Sequence, residues 1–152
     1  LDKAVTQGKV KAVGVSNYTP AQVNVLSAFW KAPIAAHQVE FSLLETAPLF
    51  NGVLDQTMEQ KIPLYAWSPL AGGVVSQNTR IMTVLNDMAQ QKGCTPAALA
   101  LAFILRHPAS ITPIIGTKDP AHFREAMSAL NITLTRAEWY SLLETSLGRR
   151  MP

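Results

Sequence analysis

The chain has 152 residues, of which 48% are hydrophobic and 15% charged, and its formal net charge at pH 7 is +3. This length fits one ordinary domain with a sizeable core, and the charged fraction lies below the ~25% of a typical globular domain. The 13 lysines and arginines are scattered, with a basic doublet only at Arg149-Arg150, so the charge pattern argues against nucleic-acid binding.

Four segments of the chain have the pattern of buried strands. Each is short and rich in apolar, mostly β-branched or aromatic, residues, and each is followed by turn residues and then by a helical pattern. The predicted strands are 10–15, 36–41, 63–67 and 111–116.

Capping residues place helices after these strands. Thr19, Thr95 and Asp119 each stand before a proline, an arrangement in which the side chain caps a helix and proline fills its first position. Thr135 is the predicted cap of a final helix, and the run 99–105 is apolar on nearly all sides, which predicts a deeply covered helix. The predicted helices are the end of one at 1–5, then 20–30, about 48–61, 81–92, 96–105, one from 120, and about 136–147.

Strand and helix alternate four times, which is typical of a parallel sheet with right-handed crossovers. A doubly wound sheet would usually carry a G-x-G-x-x-G turn after an early strand, and neither Gly14 nor Gly72-Gly73 makes one. A closed β/α barrel places its chemistry at the C-terminal ends of its strands, where the unusual polar residues of this chain occur. We therefore predict an α/β barrel of which this chain supplies four of the eight strand–helix units.

Polar residues follow or lie within the first two predicted strands. The first strand ends in Ser16-Asn17, and the second carries Gln38 and Glu40 among apolar neighbours. Their spacing of two puts Gln38 and Glu40 on one face, which in a barrel can be the interior. Buried polar groups need partners, so Gln38 is a candidate ligand contact, whereas Glu40 is better interpreted as a member of a structural ion pair than as a base.

The third and fourth strands end in segments suited to anions. Trp67 is followed by Ser68-Pro69-Leu70-Ala71-Gly72-Gly73, whose glycines let backbone N–H groups approach a phosphate closely. The fourth strand ends in Gly116-Thr117-Lys118 directly before a helix, where the helix dipole favours negative charge. Each signal is weak by itself.

Five segments, taken together and in chain order, resemble the aldo-keto reductase family in its bacterial oxidoreductase-like branch. The resemblance implies that residues 1–152 are one partial domain, the C-terminal, cofactor-binding half of a (β/α)8 TIM barrel whose N-terminal half is absent. The matching segments are Gly8 to Asn17 (GK(I/V)R-xxGVSN), His37 to Glu40 (Q-x-E), Ala66 to Leu70 (A-Y-S-P-L), Leu101 to Pro108 (A-L-x-W-x-L-x-x-P) and Ile114 to Glu125 (I-P-G-(S/T)).

The resemblance also implies an NADP(H) site. Trp67 occupies a position that is normally tyrosine in the family, and tryptophan keeps the flat face needed to stack on nicotinamide. His122 stands where the family often has an arginine, so Lys118 or Arg124 would compensate near the phosphate. The implied contacts are Ser16, Asn17 and Gln38 with the nicotinamide carboxamide; Trp67 with its ring; Ser68, Leu70 and Gly72 with the pyrophosphate; Gly116, Thr117, Lys118 and His122 with the 2′-phosphate; and Glu125 with the adenine.

The family's catalytic tetrad of Asp, Tyr, Lys and His lies on the four strands that have no counterpart here. Tyr18, Tyr65 and Tyr140 do not stand in its sequence context, and we interpret His37 as a core or rim residue. We therefore expect no catalytic residue in this chain, no activity from the chain alone, and dependence on the other half of the barrel. An isolated chain would have two open sheet edges and is expected to dimerise through them, aggregate, or not fold.

Cysteine content and hydropathy bear on location. The single cysteine, Cys94, excludes an internal disulfide framework and suits a reducing cytoplasm. No apolar run reaches the ~20 residues that cross a bilayer, and no signal peptide is visible. We expect a cytoplasmic chain without membrane contact, and the helical turn at Leu1 suggests a piece of a longer polypeptide.

The leading interpretation is an NADP(H)-dependent oxidoreductase that reduces aldehydes or ketones, represented here by its cofactor-binding half. The alternative is a non-catalytic NADP-binding regulatory subunit of the same fold. An unrelated β/α barrel is the third interpretation.

Overall fold

The computed structural model describes residues 1–30 and 32–151. Its strands form a single sheet in the order β1-β2-β3-β4, and every pair is parallel. Sequence order therefore equals spatial order, as in a β/α barrel, and the predicted architecture of four strand–helix units is confirmed. The strands are β1 (Val13–Ser16), β2 (Ile34–Glu40), β3 (Leu64–Trp67) and β4 (Thr112–Pro113).

Seven α-helices and three short 3-10 segments accompany the sheet in the described residues. None of these helices combines the length and the apolar character that crossing a membrane requires. The α-helices are α1 (Asp2–Thr6), α2 (Pro20–Phe29), α3 (Val53–Glu59), α4 (Thr79–Lys92), α5 (Pro96–Leu105), α6 (Pro120–Ser128) and α7 (Arg136–Leu147). The 3-10 segments are Ala47–Leu49, Ala71–Gln77 and Ala129–Asn131.

The four predicted caps are confirmed because each satisfies backbone N–H groups locally. Thr19 and Thr135 form capping boxes, in which the cap side chain accepts from the third helical N–H and that residue's side chain accepts from the cap N–H. Thr95 accepts from Ala98 N, and Asp119 accepts from the backbone of α6. Each such cap stabilises its helix by ~1 kcal/mol.

Several elements differ from their predicted bounds, and the largest differences are in α3 and β4. The helix expected from residue 48 begins at Val53, because Gly52 adopts a left-handed conformation (φ 81°) and separates it from a 3-10 turn at Ala47–Leu49. The strand expected over 111–116 contains only Thr112–Pro113. Proline has no N–H to donate, and the pairing ends with Ile114 N donating to Ala66 O at 2.8 Å.

The core lies between the sheet and helices α4, α5 and α7. All residues of α5 from Ala98 to Ile104 are buried, so the predicted deep burial of this helix is confirmed. Phe103 is fully buried, with its ring 4.9 Å from that of Trp139 and 6.0 Å from that of Phe41. These rings tie α5 to α7 and to the segment that follows β2.

The two faces of the sheet differ in what covers them. His37 and Val39 point to the helices and are buried, whereas Gln38 between them is exposed. We call this second side the open face, because the rest of a closed barrel would cover it. The register aligns one residue of each strand on the open face: Ser16, Gln38, Tyr65 and Thr112.

Gly14 allows β1 and β2 to approach each other closely. A Cβ at this position would lie 2.6 Å from the backbone oxygen of Ala36. The pairing register also shifts between Val13 and Val15. The absence of a side chain at Gly14 therefore sets the position of β1 in the sheet.

His37 is a core residue, as predicted, and it is a source of pH sensitivity. Its side chain has no exposed area, and neither ring nitrogen has a hydrogen-bond partner among the described residues. Burial lowers the pKa of its imidazole from the ordinary value of 6.5. The folded chain therefore holds this ring in its neutral form.

We expect the free energy of unfolding to decrease as pH falls below about 6.5, since the unfolded chain then binds a proton that folded His37 resists. The unfolding free energy can change by up to ~1.4 kcal/mol per pH unit because of this one group. The change ends once pH falls through the lowered pKa of the folded state. Denaturant melts between pH 5 and 8, at one protein concentration, measure it. His37→Leu should flatten the slope in part, since burial also lowers the pKa of His107 and that group contributes to the same pH range. An unaltered slope in His37→Leu would contradict the prediction.

Candidate functional site

The largest cavity we describe lies between the segments that follow β3 and β4, at the carboxyl ends of the strands. Its volume is about 680 Å³. This is the end of the sheet where β/α barrels bind ligands. The lining residues are Ser68, Pro69, Leu70, Gly72, Gly73, Ser76, Ala97, Leu101, Ile114, Ile115, Gly116, Thr117, His122, Glu125 and Ala126.

Left-handed backbone conformations shape the wall that follows β3. Ser68 and Ala71 have φ values of 48° and 50°, although neither is glycine, and Gly72 and Gly73 have 62° and 91°. Hydrogen bonds from Ala71 N to Ser68 O (2.7 Å) and from Gly73 N to Leu70 O (2.9 Å) hold the turns. Strained non-glycine residues of this kind concentrate at functional sites. A Cβ at Gly72 or Gly73 would meet nothing within 4 Å, so this backbone is open on the cavity side.

The opposite wall is the turn from β4 into α6. Gly116 leaves open space where a side chain would be, and Thr117 Oγ1 accepts a hydrogen bond from Asp119 N at 3.1 Å. Asp119 in turn caps α6, whose first turns bring His122 and Glu125 to the cavity. The positive end of the α6 dipole therefore lies beside the cavity and favours an anion there.

Asn17, Gln38 and Trp67 meet at the carboxyl ends of β1 to β3. Asn17 is left-handed (φ 56°), and its N–H donates to Gln38 O at 2.8 Å. Trp67 Nε1 donates to Asn17 Oδ1 at 3.0 Å, so the Nδ2 amide group of Asn17 remains as its free donor. Ser16 pairs in register with Gln38 on the open face. The two strand-end groups are continuous, because Trp67 directly precedes Ser68.

The structure brings most of the predicted residues together, with two differences. Lys118 is exposed and does not line the cavity, although its neighbours Gly116 and Thr117 do. In the part of the chain that the structure describes, Glu40 forms no ion pair, so the ion pair expected there was wrong. Glu40 instead lies next to Trp67 in register and lines a shallower cavity with it.

Sequence reasoning missed the contribution of α5 to the cavity. Ala97 and Leu101 line it from the first half of that helix. The apolar run 99–105 gave no periodic signal that one side of the helix faces a ligand site rather than the core. Ser76 was missed because it stands in no recognisable motif, and Ile114 lies in the segment that resembles the family but was not assigned a contact.

These residues are suited to binding rather than to acid–base chemistry. An anion-favouring cavity of this length continues into a flat indole and an amide donor, which fits a long ligand that has phosphates at one end and an aromatic amide at the other. The described residues hold no cluster of three or more His, Cys, Asp or Glu that could bind a metal ion.

Comparison with known proteins gives consistent matches. The model of the aldo/keto reductase family matches residues 1–146. The chain is 37% identical to 6-dehydroglucose reductase of Agrobacterium fabrum over 153 aligned residues, covering 99% of this chain and 52% of that protein. It is also 37% identical to 6-dehydroglucose reductase of Novosphingobium aromaticivorans, covering 100% and 52%.

Solved structures match the same family. The thermostable aldo-keto reductase Tm1743 superposes with a TM-score of 0.87 at 25% identity, over 95% of this chain and 52% of that one. The chain thus spans about half the length of the relatives that it matches.

Proposed function

Since the chain belongs to the aldo/keto reductase family, we propose that it is the cofactor-binding half of an NADP(H)-dependent oxidoreductase that reduces aldehydes or ketones. The observation that carries the proposal is that the Asn17–Trp67 pair stands beside the 680 Å³ cavity, since Trp67 directly precedes Ser68 in the cavity wall. A dinucleotide cofactor needs both features next to each other, because it carries phosphates and an aromatic amide in one extended molecule. The carbonyl substrate follows from relatives whose names describe reductases.

The residues present fit the cofactor. Open backbone at Gly72 and Gly116 leaves room for phosphate oxygens to approach the N–H groups, and Gly73, whose N–H donates to Leu70 O, leaves space beside them. When bound, the cofactor supplies a hydride to the carbonyl carbon. The protein's part is to bind and orient it.

Asn17 and Trp67 would orient the nicotinamide end. Because Asn17 Oδ1 already accepts from the Trp67 indole, its Nδ2 group is the one that can donate to the carboxamide oxygen. Gln38 and Ser16 offer further polar groups from the neighbouring strands. The indole would then serve twice, as a stacking surface and as the group that fixes the direction of the Asn17 amide.

The turn after β4 would hold the other end. Thr117 and the α6 N-terminus favour the adenosine 2′-phosphate, with Gly116 giving space and Glu125 placed for the adenine. His122 lacks the forked donors that an arginine would offer to a phosphate, so Lys118, one residue from Thr117, is proposed to supply a positive charge there. NADP(H) is therefore the proposed cofactor.

The proton donor is proposed to come from outside this chain. None of the residues around Trp67 reproduces the family's acid–base set, so four further strand–helix units would have to cover the open face and supply it.

The proposed cellular location is the reducing cytoplasm, which suits the single Cys94. The second candidate is a non-catalytic NADP-binding subunit of the same fold, and the residues of those four further units would distinguish it from the reductase.

We expect Trp67→Ala to weaken NADPH binding about tenfold or more, since stacking on an aromatic side chain is worth ~1–3 kcal/mol. Trp67→Phe keeps a flat ring but loses the indole N–H, and a loss of only a few-fold is expected. Isothermal titration of the chain with NADPH, NADP⁺ and NADH measures both. Val25→Ala on the exposed side of α2 is the matched control. Equal affinity in wild type and Trp67→Ala would refute the proposed nicotinamide site.

A further inference from the structure

A second cavity lies at the opposite end of the strands from the proposed cofactor site. It forms where α5 ends, before β4, and where α7 begins, and its volume is about 250 Å³. We call it the arginine pocket. Its lining residues are Arg106, His107, Pro108, Arg136, Trp139 and Tyr140.

The aromatic side of the arginine pocket is fixed in place. Trp139 Nε1 donates to Phe103 O at 2.9 Å, and the indole stacks on the Phe103 ring at 4.9 Å. Tyr140 meets Trp139 edge-on, with ring centroids 5.3 Å apart. Because Phe103 is fully buried, this wall is anchored in the core rather than laid on the surface.

Two guanidinium groups line the arginine pocket, and the acidic group that acts on this region is the carboxylate of Asp55 on α3, whose charge reaches His107. Arg106 Nε donates to Leu134 O at 3.1 Å, which orients the group and leaves its terminal N–H donors available. Arg136 Cζ lies 5.6 Å from the centre of the Tyr140 ring. Within residues 1–30 and 32–151, neither arginine forms an ion pair.

The nearest acidic side chain on α7 is already engaged. Glu138 pairs with Lys92 at 2.8 Å and accepts from Thr135 N at 2.7 Å, and these contacts lower the pKa of its carboxyl group. It is therefore held as the partner of Lys92 and as the capping residue of α7. The arginine pocket keeps its positive charge.

His107 adds a neutral donor. Its Nδ1 accepts a hydrogen bond from Ala109 N at 3.2 Å, so the neutral ring carries its proton on Nε2. An anion in the pocket would thus meet two forked guanidinium groups and an imidazole N–H, with aromatic rings around them. Arginine forks match the oxygen geometry of phosphate better than that of a point acceptor.

We propose that the arginine pocket binds a small phosphate monoester, with the phosphate between Arg106 and Arg136 and the organic part against Trp139. A dianion is favoured over a monocarboxylate because two unpaired cations converge on one cavity. The volume lies below the ~300–1,000 Å³ of pockets for larger ligands, which limits the organic part to a few atoms or one ring. The site is separate from the cofactor cavity and does not depend on the proposed reductase function.

Titration calorimetry of the 152-residue chain with phenyl phosphate, inorganic phosphate and benzoate, at constant ionic strength, tests the proposal. We expect saturable binding of phenyl phosphate at one site, weaker binding of inorganic phosphate, and the weakest binding of benzoate. Arg106→Gln and Arg136→Gln should each weaken phenyl phosphate about tenfold or more, as expected when a charged hydrogen-bond donor is lost. Arg136→Lys keeps the charge without the fork, and an intermediate affinity is expected.

Arg149→Gln, at an exposed arginine far along the chain, is the matched control and should bind as the wild type does. Circular dichroism establishes whether each variant is folded. If Arg106→Gln does not fold, Arg136→Lys provides the test of the guanidinium contact. The proposal is overturned if no saturable binding occurs up to ~10 mM, a concentration at which even a site of millimolar affinity would fill. Equal weakening by Arg149→Gln would also overturn it, because the binding would then depend on the general positive charge of the chain. Displacement of phenyl phosphate by NADPH would overturn it as well, because the ligand would then occupy the cofactor cavity.

Discussion

The purified 152-residue chain is expected to oxidise no NADPH in the presence of aldehydes or ketones, even where it binds the cofactor. A general acid contributes ~10²–10⁴ to such rates, and the substrate would also lack the walls that position it against the nicotinamide. Absorbance at 340 nm with a panel of small aldehydes and ketones, 6-dehydroglucose included, measures the activity. Turnover above the buffer blank would contradict the proposal.

The control for this experiment is a closed barrel. Fusing the chain to the first half of one of its 37%-identical relatives would supply four more strands, and with them an acid–base set. NADPH oxidation by the fusion would support the reductase, whereas a folded fusion that binds NADPH without oxidising it would favour the non-catalytic subunit. Size-exclusion chromatography of the unfused chain shows whether it is non-monomeric, as its open edges predict.

Phe103→Ala is expected to lower the free energy of unfolding by ~3–5 kcal/mol, the range for truncating a buried aromatic residue. Phe103 has no exposed area and carries the stack that joins α5 to Trp139 on α7. The change leaves a cavity in the centre of the main core. Urea unfolding followed by circular dichroism at fixed protein concentration measures the difference.

Phe29→Ala is the matched control for this measurement. The Phe29 ring is 82% exposed on α2, so its removal should alter stability by no more than about 0.5 kcal/mol. Similar losses from both substitutions would mean that Phe103 is not packed as described. The Phe103 variant should also weaken phenyl phosphate binding, because the wall of the arginine pocket rests on this ring.

Local chemistry made four helix starts and the turn after β3 predictable. Thr19, Thr95, Asp119 and Thr135 cap helices through hydrogen bonds within three residues, so the information lies in the neighbouring sequence. The strand-end motif at Ser68 to Gly73 likewise encodes its own turns through residues that stand next to one another. Prediction succeeded where cause and effect are close along the chain.

Prediction failed where the cause is distant along the chain. The hydrogen bond between Trp67 and Asn17 joins residues 50 positions apart, and no sequence pattern in either segment predicts it. Ala97 faces the cavity only because α5 packs beside the turn after β3. The side of β2 that is covered also depends on helices elsewhere, which is why His37 could be assigned to core or rim but not to a face.

Gly14 has a role in the site although no part of it would touch a ligand. Two residues separate it from Asn17, and its missing side chain lets β1 lie close to Ala36. The 2.8 Å bond from Asn17 to Gln38 depends on that separation between the two strands. The proposed nicotinamide contacts therefore depend on a backbone clearance, so substitutions meant to change that end of the site also have to preserve Gly14.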